Sequence, residues 1–164
     1  MTTTLLRLAT PADLSAINDI YSYSVLYSTA TYQSEPSTDA ERVAWFTAHG
    51  KLHPVTVAEI EGKVVGWGSL SPYHPRAAFR HTVEESVYVH HDFHRRGLGR
   101  TILLDLLARA RAIGHHRVIA AISGDQEPSL ALHRALGFTS AGRLNEVGFK
   151  FGRWLDLVYL EYRI

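Results

Sequence analysis

The chain has 164 residues, with 17 lysines and arginines against 16 aspartates and glutamates, so its formal net charge is +1. This length and the 46% hydrophobic content predict one globular domain with a sizeable core, and the near balance of charge argues against a general nucleic-acid or membrane-surface binder. With no cysteine, disulfides, thiolate metal sites and a cysteine nucleophile are excluded.

The first residues, "MTTTLLRLATPADL", lack a basic segment followed by a long apolar run, so no secretory signal is expected. No stretch reaches the roughly 20 apolar residues of a membrane span, and a cytoplasmic location is the expectation. "LLRLA" (5–9) reads as a strand. Thr10 as N-cap and Pro11 at the first position then open a helix with Leu14, Ile17, Ile20 and Tyr21 on one face. A loop rich in Ser, Thr and Tyr follows, and a second helix starts near Thr38 or Asp39. Residues 53–73 form a hairpin turning at Glu61-Gly62, and "HTVEESVYV" (81–89) is a further strand.

Leu98, Ile102, Leu103, Leu106, Leu107, Ala110 and Ile113 make the apolar stripe of a helix over 98–113, stopped by Gly114. "HRVIAAI" is a buried strand, "EPSLALHRAL" a short helix ended by Gly137, and residues 139–162 give two strands. The order predicts an α/β fold over residues 1–164: a mixed central sheet flanked by helices.

Between a strand and a helix lies "HRRGLGR". Backbone N–H groups and the helix dipole make such a junction an anion site. Gly97 and Gly99 permit close approach of a phosphate, and Arg95, Arg96 and Arg100 add charge-assisted donors. A dinucleotide G-x-G-x-x-G would need glycine where Ile102 stands, and the chain has no Gly-Lys-Ser/Thr of a P-loop.

The stretch "VYVHHDFHRRGLGRTILLDLLARA" resembles the acetyl-CoA motif of the GNAT superfamily of N-acetyltransferases. There a Gln/Arg-x-x-Gly-x-Gly/Ala loop wraps the coenzyme pyrophosphate. The matching residues are His94, Arg95, Arg96, Gly97, Leu98 and Gly99, with His94 in place of the usual glutamine or arginine. "YSTATYQSEP", "AFRHTVEESVYV", "LHRALGF" and "GFKFGRWLDLVYL" narrow the resemblance to the phosphinothricin and methionine sulfone/sulfoximine acetyltransferases. The resemblance implies acetyl-CoA as co-substrate, no metal, a small amino acid or analogue as acceptor, and a homodimer.

An amino acid's α-amine is mostly protonated at neutral pH, so acyl transfer to it needs a base. Strand alternation puts Glu84, Ser86 and Tyr88 on one face and Val83, Glu85, Val87 and Val89 on the other, provided no bulge intervenes. Only one glutamate can face the acceptor; Glu84 aligns with the group's base, which leaves Glu85 a structural part. Arg80, on Glu84's face if the strand extends back, and Arg76 are candidates for holding the acceptor carboxylate, with Tyr32 and Phe79 as pocket walls. The resemblance assigns the backbone of Val87, Tyr88 and Val89 to the pantetheine arm, and an N–H near Tyr88 or Val89 to the thioester oxygen. It makes His133 the acid for the leaving thiolate, while Ser129 matches an expected hydroxyl and Gln126 replaces the usual asparagine.

Ten histidines raise a metal reading, but His90, His91 and His94 lack a recognised ligand spacing. Alternatives keep the fold with a protein N-terminus, polyamine or antibiotic as acceptor, or leave a non-catalytic coenzyme A-binding domain. A nucleic-acid module, resting only on the three arginines, is remote.

Overall fold

A computed structural model of the chain describes residues 3–164. Its elements are β1 (Thr4–Leu8), α1 (Leu14–Tyr27), α2 (Asp39–Ala48), β2 (Val55–Ile60), β3 (Lys63–Pro72), β4 (Thr82–Val89), α3 (Leu98–Ile113), β5 (Arg117–Ser123), α4 (Glu127–Ala135), β6 (Thr139–Lys150) and β7 (Arg153–Arg163). The strands form one seven-stranded sheet in the order β1-β2-β3-β4-β5-β7-β6. All pairs are antiparallel except β4–β5, so the sheet is mixed as the element order implies.

Local chemistry explains the element ends. α1 begins three residues later than the cap pattern predicts, because Pro11–Asp13 form a 3₁₀ turn. Asp13 accepts from the Thr10 N–H at 2.7 Å and from both terminal nitrogens of Arg7 at 2.8 Å. That guanidinium holds the Asp13 carboxyl down at about 2. α2 opens on a capping box between Thr38 and Glu41. The hairpin turn at Glu61 and Gly62 has φ of 49° and 77°, the left-handed pair that joins two twisted strands tightly. α3 spans its predicted residues and stops where Gly114 takes φ 94°.

Two cores cover the two faces of the sheet. On one, Ile102, Leu103 and Leu106 of α3 pack with Leu130 of α4 against Val65, Leu70, Val83 and Val118. Gly66 and Gly68 let α3 come close: a Cβ there would lie 2.9 Å and 2.7 Å from Ile102. On the other, Leu14, Ile17 and Ile20 of α1 meet Val55, Val57 and Trp67. Arg42 of α2 is buried there, its guanidinium 4.8 Å from the Tyr21 ring centre and 4.7 Å from that of Trp45. Its Nε donates to Asn18, which joins the two helices over the sheet.

Candidate active site

The sheet parts at its centre. β4 and β5 pair only at Thr82–Arg117, Val83–Val118 and Glu84–Ile119. β4 nevertheless continues along β3 through Val89, and β5 continues along β7 through Ser123. A wedge therefore opens beyond Glu84. The Tyr73 N–H donates to Thr82 O and the His90 N–H to Val65 O. Even-numbered residues of β4 thus bond to β3, while the N–H and C=O of Val87 and the N–H of Val89 point into the wedge. Tyr88 turns its own N–H toward β3, so of the two N–H groups singled out above, Val89's is on the open side. Unpaired backbone of this kind can accept an extended chain as an additional strand. From Glu84 to Val89 the strand runs about 17 Å.

At the wide end stands the glycine loop. Gly97 is the N-cap of α3 with φ 77°, and Arg95 also lies in the left-handed region at φ 62°. This backbone turns successive N–H groups inward ahead of a sixteen-residue helix, and α3 has no acidic residue in its first turn. A Cβ on Gly97 would meet nothing within 4 Å, so the loop leaves open space at that corner. Gly99 faces α4 instead, where a Cβ would lie 3.4 Å from Leu132. Arg95, Arg96 and Arg100 are exposed and pair with no carboxylate among the described residues. His94 bends back, its Nε2 2.9 Å from Val89 O, and so links the strand end to the loop. These features suit a pyrophosphate.

The two glutamates have separate surroundings. β3 and β4 keep an unbroken register from Val83 to Val89, so no bulge disturbs the alternation. Glu84 is half-buried on the α1/α2 face, at the last β4–β5 pair. Burial, and then the charge of Glu85, push its carboxyl above the ordinary carboxylate range. Ser71 lies directly across β3 from it, and Ser71 Oγ is 3.1 Å from His49 Nε2. Glu85 is buried on the α3/α4 face, with Oε1 2.8 Å from Nε2 of His133. His133 Nδ1 lies 2.7 Å from the Ser129 carbonyl, and the Ser129 hydroxyl is 3.5 Å from the same nitrogen.

The loop after α1 straps the wedge. Tyr88 OH donates to Ala30 O at 3.3 Å on the β4 side. On the β5 side Thr29 Oγ1 donates to Asp125 at 2.7 Å and accepts from Gln126 Nε2 at 2.7 Å. Tyr32 OH reaches Ser123 Oγ at 2.8 Å and Asp156 O at 2.5 Å, while its ring comes within 2.7 Å of where a Cβ on Gly148 would be. Lys150 fixes the strap from β6 by donating to Ser28 O and Thr31 O. Gln126, at the start of α4, thus spends its amide on the strap, and Tyr32, expected as a pocket wall, ties the strap to β5 and β7.

Arg76, Phe79 and Arg80 lie apart from this tight geometry. The strand does not extend back to Arg80: Ala77–Phe79 form a 3₁₀ turn with Arg80 as its C-cap, and β4 starts at Thr82. Alternation therefore does not place Arg80 on Glu84's face. All three residues are exposed on the β3–β4 loop, and Arg80 Nη1 makes a 3.4 Å contact with Ala77 O. His90, His91 and Asp92 bring ligand atoms within 4.8 Å of one another, an acidic partner that the histidine spacing alone had not supplied. His91 stacks on Tyr23, and His90 Nδ1 takes up the Asp92 N–H.

A sheet opened along one strand, with phosphate donors at its mouth and a raised carboxyl at its apex, belongs to an enzyme that moves an acyl group from a coenzyme thioester to an amine. The chain is a member of the acetyltransferase (GNAT) family, whose family model matches residues 17–138. It is 41% identical over 160 residues to the L-amino acid N-acyltransferase MnaT of Escherichia coli, covering 97% of this chain and 93% of that one. The L-methionine sulfoximine/L-methionine sulfone acetyltransferase of Salmonella typhimurium is 39% identical over 160 residues, covering 97% and 94%. Among solved structures, a phosphinothricin acetyltransferase from Sinorhizobium meliloti in complex with AcCoA superposes with a TM-score of 0.95 at 40% identity, covering 99% and 89%. The GNAT resemblance, the mixed flanked sheet and the acetyltransferase class read from the sequence are borne out.

Proposed function

We propose that the chain acetylates the α-amino group of a small amino acid or analogue of the methionine sulfone, methionine sulfoximine or phosphinothricin type. Acetyl-CoA, when bound, supplies an activated acyl carbon and a thiolate leaving group. The observation that carries the reading is Glu84, half-buried at the apex of the wedge with its carboxyl raised. A base of that kind can take a proton from the acceptor's ammonium group near neutral pH. The names of the relatives supply the acceptor class.

The other roles belong to the same proposal. The backbone of Val87 and Val89 would pair with the pantetheine arm, and the Val89 N–H would donate to the thioester oxygen. Arg95, Arg96, Arg100 and the N–H groups of Gly97, Leu98 and Gly99 would take the pyrophosphate, with His94 holding the loop to the strand. Ser129 lies beside His133, the acid for the thiolate. Gln126 acts through the strap. Tyr32 walls the acceptor pocket, and Arg76, Phe79 and Arg80 are loop groups for the acceptor's carboxylate and side chain.

Free-thiol release from acetyl-CoA with a set of acceptors tests this. Methionine sulfone, methionine sulfoximine or phosphinothricin should exceed a peptide N-terminus, spermidine and an aminoglycoside in kcat/KM by at least about tenfold, which is about 1.4 kcal/mol of transition-state preference. No thiol release with any amino acid or analogue would sink the reading.

We further propose that the chain acts as a single-domain cytoplasmic enzyme and as a homodimer joined through the β6–β7 hairpin. No helix of the described residues is long and apolar enough to cross a membrane. The hairpin exposes Leu144, Val147, Phe149, Phe151 and Trp154, and the Phe149 and Trp154 rings, paired across the two strands, lie 5.0 Å apart. A second copy is the occupant that pairs this apolar surface with itself. Sedimentation should show a dimer that Trp154→Lys converts to monomer; a monomeric wild type would end the idea.

A further inference from the structure

The proposed mechanism uses His133 but gives no part to its buried partner, Glu85. Glu85 and His133 side chains are each 5% exposed, and they meet at 2.8 Å from two different elements. The Ser129 carbonyl can only accept, so the 2.7 Å contact fixes a proton on His133 Nδ1. A second proton then lies between Nε2 and Glu85 Oε1. Glu85 is the first residue of β4 past the last β4–β5 pair, so the dyad sits where the wedge begins. Its other oxygen, Oε2, is buried and has no partner. A buried carboxylate atom without a donor is costly, and a site for packing alone would have no need of it.

We propose that Glu85 is a positioning residue that orients the His133 ring and keeps the second proton on it for the leaving sulfur. This rests on Glu84 acting as base and His133 as acid. The proton balance closes. The acceptor ammonium gives up two protons as its C–N bond forms and the C–S bond breaks. The sulfur takes one from the dyad, the acceptor's protons recharge the dyad and Glu84, and one proton leaves to solvent per turnover.

The groups that bear on the dyad are few. Burial opposes charge on His133, but the Glu85 hydrogen bond and charge and the Ser129 carbonyl raise it above its ordinary value. Phe138 lies edge-on to the imidazole at 5.0 Å. Glu127 and Arg134, also on α4, face each other at 3.6 Å on its exposed side. Glu84 and Tyr88 are on the far face of β4, where burial raises both and the charge of Glu85 adds to it.

The base must be deprotonated and the dyad protonated, so kcat/KM should be bell-shaped in pH. Burial, with the charge of Glu85 added, raises the group behind the acid limb, and against burial the Glu85 hydrogen bond raises the one behind the alkaline limb. Glu85→Gln removes its charge, and its amide can donate to a neutral Nε2. Both limbs should move toward acid pH, each by about one unit, and kcat above the optimum should fall about tenfold. A merely structural glutamate would lower the melting temperature and leave the limbs in place, so unmoved limbs would overturn the proposal.

His133→Gln should erase the alkaline limb, and a limb that survives it would overturn the proposal even if Glu85→Gln folds poorly. Failure of the base reading shows separately: Glu84→Gln would then keep full activity while the dyad variants still move the alkaline limb.

Discussion

Glu84→Gln is expected to lower kcat by about 10²- to 10³-fold at pH 7, within the range that general-base catalysis contributes. The amide is nearly isosteric, stays on the same face of β4 opposite Ser71, and removes only the ability to accept a proton. Acetyl-CoA affinity should remain within about twofold, since the base acts on the acceptor and not on the coenzyme. The loss should be greatest at low pH and shrink as pH rises, because more of the acceptor amine is then free without help. In the wild type, activity should rise with pH through a midpoint above the ordinary carboxylate range, as burial and Glu85 hold the Glu84 carboxyl up. Rate profiles together with calorimetric titration of the coenzyme separate these effects. Unchanged kcat would remove Glu84 as base.

Gly97→Val should raise the acetyl-CoA dissociation constant by at least about tenfold, or about 1.4 kcal/mol. Gly97 holds φ 77° with open space around its Cβ position, so the obstacle is conformational rather than a clash with the protein. A β-branched residue in the left-handed region costs about 1–3 kcal/mol and would push the loop out of the shape that gathers its N–H groups. Its methyl groups would also project into the corner left for the pyrophosphate. Melting temperature should fall modestly, because the loop packs little of the core. Normal coenzyme binding in a folded Gly97→Val protein would refute the cradle.

Local patterns in the sequence went far. The apolar stripe from Leu98 to Ile113 and the glycine at 114 defined α3 because a 3.6-residue period and a left-handed stop are local properties. Alternation separated Glu84 from Glu85 because β4 is a regular strand. The same logic overreached at Arg80, where the Ala77–Phe79 turn interrupts the extended chain.

What stayed hidden were contacts between distant residues. The Glu85–His133 pair joins positions 48 residues apart, and the strap joins Thr29 to Asp125 across 96. One signal was available: Glu85 shares its face with Val83, Val87 and Val89, and a carboxylate among core valines needs a buried partner. Glu85, read from the sequence as structural, is buried against His133. The parting of β4 from β5 could not be read from either strand alone.

Acetyl transfer to an amino acid is tested by identifying the product when purified protein, acetyl-CoA and methionine sulfone are mixed and followed by proton NMR. N-acetyl methionine sulfone, acetylated on the α-nitrogen, should form one-for-one with free coenzyme A and only in the presence of the protein. Coenzyme A released without that product, or acetyl-CoA left intact across the set of amino acid acceptors, would contradict it.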